Sequence, residues 1–187
     1  EVDDVKTSFY GSLRLGVDYV DAGTDDDAAN GRDFLSRVGA KASLDLGDGY
    51  TGLAVVEYGI RGEDKVNFKQ NDKPGLRQAA VGIKGNFGTV MYGSQTILWH
   101  KFVRGAYFSD GVDSMRQGAI RDDDFLQWER KSGNWKYGAA VQTESQDGDS
   151  LDQYQAAIEY AAGAFKLQGA VAVDQRGDNT GNLYGVR

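Results

Sequence analysis

Four arginines and one glutamate have types and spacing suited to acting on charged solutes. Arg37, Arg77 and Arg121 each lie on the polar side of, or at the start of, a different alternating run; Arg14 points the same way from the first run, and Glu57 shares that side in the third. Guanidinium groups gathered on one wall make a dense positive surface, and a carboxylate among them orients an arginine through charge-assisted hydrogen bonds. The long non-alternating segment 94–120 carries Asp110 and Asp113, within Tyr107-Phe108-Ser109-Asp110-Gly111-Val112-Asp113. Folded against the same wall, it would oppose the arginines with carboxylates. Fixed charges facing one another across a narrow wet passage set up a transverse field that sorts solutes by size and charge. The same spacing also fits arginines that pair with carboxylates on a solvated sheet face, and both readings stay open at this level.

Other chemistry finds little footing. His100 is the only histidine and stands in Leu98-Trp99-His100-Lys101 with no nucleophile motif beside it, so the chain reads as a non-enzyme. The runs Asp25-Asp26-Asp27 and Asp122-Asp123-Asp124 lack calcium-loop spacing and read as solvated loops rather than metal sites. No glycine-rich phosphate loop follows a strand and opens a helix, and no cofactor is implied. The absence of cysteine removes disulfide frameworks and thiolate metal sites. A net charge of -7 argues against nucleic acid as a partner. The residues Glu1 to Lys6 are acidic, without the basic start and apolar stretch of a signal peptide.

The elements that must position these charges are strands. Alternation of period two runs through Phe9–Val20, Phe34–Leu46, Tyr50–Ile60, Leu76–Lys84 and Thr89–Gly93. After the 94–120 segment it resumes at Leu126–Trp128, Trp135–Val141, Tyr154–Tyr160 and Phe165–Val173. These nine runs are joined alternately by short turns near Asp48, Asn86, Gly133 and Gly163 and by long loops near Asp26, Lys69, Phe108 and Asp147, with a further long loop after the ninth run near Asn179. With 26 glycines, about twice the usual ~7 % share, the chain is well supplied with turn residues. A soluble sandwich has no reason to sort loop lengths onto two ends. A transmembrane antiparallel β-barrel does, and its strands need only ~9–11 residues to cross a bilayer. Several runs also end in aromatics, as an interfacial girdle would. In the fourth run the alternation places Gln78, Ala80 and Gly82 outward, a poor face for lipid and a better one for another subunit. A small eight-stranded barrel with a structural or adhesive role is the alternative architecture.

The chain resembles the general, nonspecific trimeric porins of Gram-negative outer membranes. The likeness runs from Phe9-Tyr10-Gly11 through Ser36-Arg37-Val38-Gly39, Thr51-Gly52-Leu53, Val56-Glu57-Tyr58, Gly82-Ile83-Lys84, Phe87-Gly88 and Tyr92-Gly93 to Ile120-Arg121-Asp122-Asp123 and Trp128. The resemblance implies a sixteen-stranded barrel, of which about nine strands are present, and a single domain over 1–187 that stops before the barrel closes, as an N-terminal half would. It implies that 94–120 is the pore-constricting loop. Arg37, Arg77 and Arg121, with Arg14, match the basic wall of the constriction; Glu57 matches its buried carboxylate, with Asp110 and Asp113 the strongest acidic partners across the pore. It further implies passive diffusion of small hydrophilic solutes and ions, a homotrimer, and contact with outer-membrane lipid and lipopolysaccharide. Two departures stand out. The family's Pro-Glu-Phe-Gly-Gly loop motif is absent as such, and Ser12 stands where several relatives carry an inward lysine.

Overall fold

The structure, a computed structural model, describes residues 5–20, 28–33, 36–60, 69–70, 73–103, 119–143, 151–175 and 181–187. The strands in chain order are β1 (Lys6–Ser12), β2 (Leu15–Val20), β3 (Ala28–Asp33), β4 (Arg37–Gly47), β5 (Tyr50–Gly59), β6 (Lys69–Gln70), β7 (Lys73–Pro74), β8 (Leu76–Gly85) and β9 (Gly88–Thr96). A short helix, α1 (Leu98–Val103), precedes β10 (Arg121–Ser132), β11 (Trp135–Gln142), β12 (Gln153–Ala162), β13 (Phe165–Asp174) and β14 (Gly181–Val186).

Ten of the strands form one antiparallel sheet in the order β1-β4-β5-β8-β9-β10-β11-β12-β13-β14. The first alternating run breaks at Leu13 and Arg14, and its far half, β2, pairs with β3 as a separate ribbon. β6 and β7 make a second small ribbon between β5 and β8. The sheet is an open wall with β1 and β14 at its edges. It holds one strand more than the nine alternating runs. The tenth, β14, is only six residues long, and its pairing with β13 puts Asn182, Tyr184 and Val186 on the same face as Val173, Val171 and Gly169.

One face of the sheet is apolar and open to its surroundings. Phe9 lies on it at the first strand, and Phe165, Leu167, Tyr184 and Val186 at the last two. Such a face is stable only against lipid or another protein surface, and in a transmembrane barrel it is the outward one. One group of its aromatics lies beside the short turns. Tyr50 and Phe87 are 6.3 Å apart, the Trp128 indole donates to the Phe87 carbonyl at 2.8 Å, and Trp135 packs against Tyr160 at 4.7 Å. The longer connections all leave the opposite strand ends. The turn between β4 and β5 uses positive φ at Gly47, Asp48 and Gly49, a backbone path that glycine takes at no steric cost.

The fourth run departs from the expected parity. Glu57 pairs with Gln78, but the next residue, Tyr58, pairs with Leu76, so β8 carries an extra residue at Arg77. A β-bulge of this kind shifts the alternation by one. Gln78, Ala80 and Gly82 therefore face inward with Glu57, Val55 and Leu53, while Ala79, Val81 and Ile83 face outward. Val81 is 61 % exposed on that apolar face. The poor lipid face expected from sequence does not exist, and with it goes the argument from that strand for a subunit contact.

The inner face is polar along most of its area and apolar in one patch. There β11, β12 and β13 present small inward residues, Ala140, Ala157 and Ala172 among them, and α1 lies across them. Leu98, Trp99, Phe102 and Val103 of the helix are all buried together with Ile97 and Phe125. Their spacing puts four apolar side chains on one helical stripe. Small residues make the seat: a Cβ added at Gly138 would stand 2.7 Å from Leu98 Cδ2, and one at Gly185 would stand 2.9 Å from the Trp99 ring and from Val103. The helix begins with its Trp99 amide donating to Gln155 Oε1 at 3.0 Å, which satisfies a first-turn donor inside the packed region.

Candidate charge cluster on the inner face

Tyr10, Gly39, Glu57 and Gln78 stand in one row across β1, β4, β5 and β8, all on the inner face. Strands are ~4.7–4.9 Å apart, so Tyr10 must reach across a whole strand to touch Glu57. Gly39 makes that possible. A Cβ there would fall 2.5 Å from the Tyr10 ring, so the ring crosses the strand where a side chain is missing. The Tyr10 hydroxyl then donates to Glu57 Oε2 at 3.0 Å.

Arg77 arrives from the other side by the same device. Arg77 and Gln78 both face inward at the bulge, and the Arg77 stem runs over Gly59, whose added Cβ would stand 3.3 Å from Arg77 Cδ. Its Nε donates to Glu57 Oε1 at 2.7 Å. Gln78 adds a third donor to the carboxylate at 3.3 Å. Glu57 and Arg77 are 4 % and 7 % exposed, so the pair is withdrawn from solvent with the carboxylate oxygens satisfied by several donors.

The remaining basic residues gather around this core. Arg121, at the start of β10, is close enough for its charge to act on Glu57, and the charge of Arg37 reaches Tyr10. Arg14 is held by Ser12, whose hydroxyl accepts from Arg14 Nε at 3.1 Å, and by Ser36, whose hydroxyl accepts from the Arg14 amide at 2.8 Å. All four arginines and Glu57 singled out by sequence thus lie on the same side of the sheet near its loop end. Asp110 and Asp113 lie outside the described residues, as does the run Asp25–Asp27. The run Asp122–Asp124 is spent on a bulge against β9, with positive φ at Asp124 and its Oδ1 accepting from the Tyr92 hydroxyl at 3.2 Å.

Sequence reasoning missed Tyr10 and Gln78 as members of this cluster, and missed a second network that ties α1 to the wall. Glu129 on β10 accepts from Lys101 of the helix, from Lys136 of β11 at 2.7 Å and from Gln127 at 2.9 Å. The Lys136 ammonium also sits 4.6 Å from the centre of the Phe102 ring. A small inward residue at Gly138 and alanines at 140, 157 and 172, on faces expected to be polar, were the readable signal that something apolar docks there.

Solved structures of similar fold are outer-membrane proteins. The chain superposes on the anion-selective porin from Comamonas acidovorans with a TM-score of 0.68 at 20 % identity, covering 91 % of this chain and 58 % of that one. Against Salmonella typhi OmpF, solved in complex with daunomycin, the TM-score is 0.70 at 16 % identity, with 97 % and 60 % covered. The outer membrane channel DcaP of Acinetobacter baumannii gives 0.59 at 17 %, with 97 % and 58 % covered. The chain therefore spans about three fifths of the length of these neighbours. No curated protein sequence matches it at a significant level. The sequence profile of the Gram-negative porins matches residues 3–187. Given that match and a wall that is apolar outside and polar inside, the chain belongs to the Gram-negative porin family, proteins of the outer membrane.

Proposed function

We propose that the protein is a channel for passive diffusion of small hydrophilic solutes and ions, with no chemical turnover, and that it works as a homotrimer embedded in outer-membrane lipid and lipopolysaccharide. The observation that carries this reading is the arginine cluster around Glu57 on the inner face of a wall whose other face is apolar. Charges placed so have no role toward lipid and a direct one toward solutes in a wet lumen. In this reading residues 1–187 form one barrel domain and 94–120 constrict the pore, with α1 as the loop's anchor. Arg14, Arg37, Arg77 and Arg121 form the basic wall, Glu57 fixes Arg77 in place, and Asp110 and Asp113 supply the acidic side. The loop narrows the passage, the transverse field orients dipolar solutes, and hydrated ions pass by diffusion. A sheet of ten strands whose edges do not pair speaks against a closed eight-stranded barrel.

The whole folded protein, reconstituted in planar bilayers, should give stepwise conductance in multiples of three. Correctly folded oligomers that pass no current would overturn the proposal.

A further inference from the structure

Passage of water and small ions does not call for apolar residues on the lumen wall, yet β5 and β9 place a group of them there. Leu53 and Val55 share the inward side with Glu57; the register aligns Leu53 with Gly82 and Met91, and Val55 with Ala80 and Gly93. The missing side chain at Gly82 lets Met91 lie across β8: a Cβ there would stand 2.4 Å from the Met91 sulfur. Leu53, Val55 and Met91 thus form a half-buried apolar floor between the arginine cluster and the short-turn end. Among the described residues, α1 packs on β11, β12 and β13 rather than on this floor.

Three lysines line the recess, Lys6 from β1, Lys41 from β4 and Lys101 from α1. Lys101 is paired with Glu129, whereas among the described residues no carboxylate forms an ion pair with Lys6 or Lys41. Lys41 is held 5.1 Å from the centre of the Tyr10 ring. The amides of Gln78 and Gln95 at the rim are fixed by Glu57 and by the Phe125 carbonyl. The recess has a volume of about 420 Å³, within the ~300–1,000 Å³ of small-molecule sites.

A hydrated inorganic anion would use the lysines and gain nothing from the floor, and a neutral sugar would gain little from either. A small carboxylate on an aryl or alkyl body uses both: its charge meets the lysines and its apolar body covers Leu53, Val55 and Met91. We propose that this recess is a binding subsite for organic monoanions with an apolar body, on the short-turn side of the arginine cluster. The proposal rests on the channel reading above and names a solute class for it.

The test uses the whole protein in planar bilayers bathed in potassium chloride, with benzoate, acetate and benzamide as probes. Benzoate should depress the chloride current in a saturable way. Acetate, which lacks the apolar body, and benzamide, which lacks the charge, should do so at least about tenfold more weakly, the ratio that ~1.4 kcal/mol produces. Leu53→Ser should weaken benzoate and leave the acetate response alone. Lys41→Gln should weaken benzoate by up to about fivefold, the scale of one exposed charge pair. The parent comparison of three probes needs no variant, so a folding defect in either substitution does not decide the result. Channels that conduct potassium chloride but respond equally to all three probes overturn the subsite and leave the channel reading standing. Folded protein that passes no current overturns both.

Discussion

Replacing Phe102 by alanine asks how firmly α1 is held on the inner wall. Phe102 is 1 % exposed, at the centre of the cluster formed with Leu98, Trp99, Val103 and Phe125. Burying four apolar helix side chains at roughly 1.5–3 kcal/mol each contributes about 6–12 kcal/mol. Fixing the backbone of the six helix residues costs about 1–2 kcal/mol apiece, again about 6–12 kcal/mol. The two nearly cancel, leaving the Trp99–Gln155 hydrogen bond and the Lys101–Glu129 pair, each worth about 1 kcal/mol, to hold the docked state. Removing a buried phenylalanine ring costs about 3–5 kcal/mol, more than that margin. Phe102→Ala should therefore release the helix while the strands stay paired. Limited proteolysis should gain a cut near residues 98–103, tryptophan emission should move to longer wavelength as Trp99 meets water, and conductance should rise. Parent-like proteolysis, emission and conductance together would refute the argument that packing holds the helix.

Glu57→Gln strips Arg77 of its partner in a site almost without solvent; a loss of about 3–5 kcal/mol should lower the urea midpoint of the membrane-inserted protein, and Glu57→Gln with Arg77→Met should recover part of it. An unchanged midpoint for the single variant would mean that the pair is solvated. Arg121→Glu exchanges a positive for a negative charge beside Glu57, so reversal potentials in a salt gradient should move toward cations; no movement would take Arg121 out of the passage. Gly185→Val should act in the same direction as Phe102→Ala, because its side chain would enter the space of Trp99 and Val103, and a normally docked helix in that variant would count against the seat.

Much of the wall was legible because a lipid face and a wet face on one strand force alternation, and alternation is written residue by residue, as in Tyr154, Ala156 and Ile158 against Gln153, Gln155 and Ala157. The bulge at Arg77 was not, since it exists only in the pairing of β8 with β5; nothing in Leu76-Arg77-Gln78 by itself says that two residues oppose one. The arginine cluster was half legible. The parity of Arg37 and Glu57 gave their side of the sheet, but the reach of Tyr10 across Gly39 depends on a gap that a neighbouring strand supplies. The helix has a trace in the sequence: Leu98, Trp99, Phe102 and Val103 follow a helical spacing, inside a segment that its lack of alternation and its two aspartates mark as a loop. β14 escaped because six residues with Leu183 on the inner side carry too little alternation to stand out.

The central claim is that one face of this wall lines the path of ions and the other meets lipid, and β8 decides it most sharply because alternation alone and the observed register disagree there. Residues 1–187 contain no cysteine, and the unsubstituted protein treated with the same reagent gives the background. Gln78→Cys, Ala79→Cys and Val81→Cys, each in the whole protein in a planar bilayer, would be exposed to a charged thiosulfonate that cannot cross lipid; Ala80, 5 % exposed, is too buried to report. The account predicts a stepwise change in conductance for Gln78→Cys and none for Ala79→Cys and Val81→Cys. The reverse pattern, or no response at any of the three positions, would contradict it.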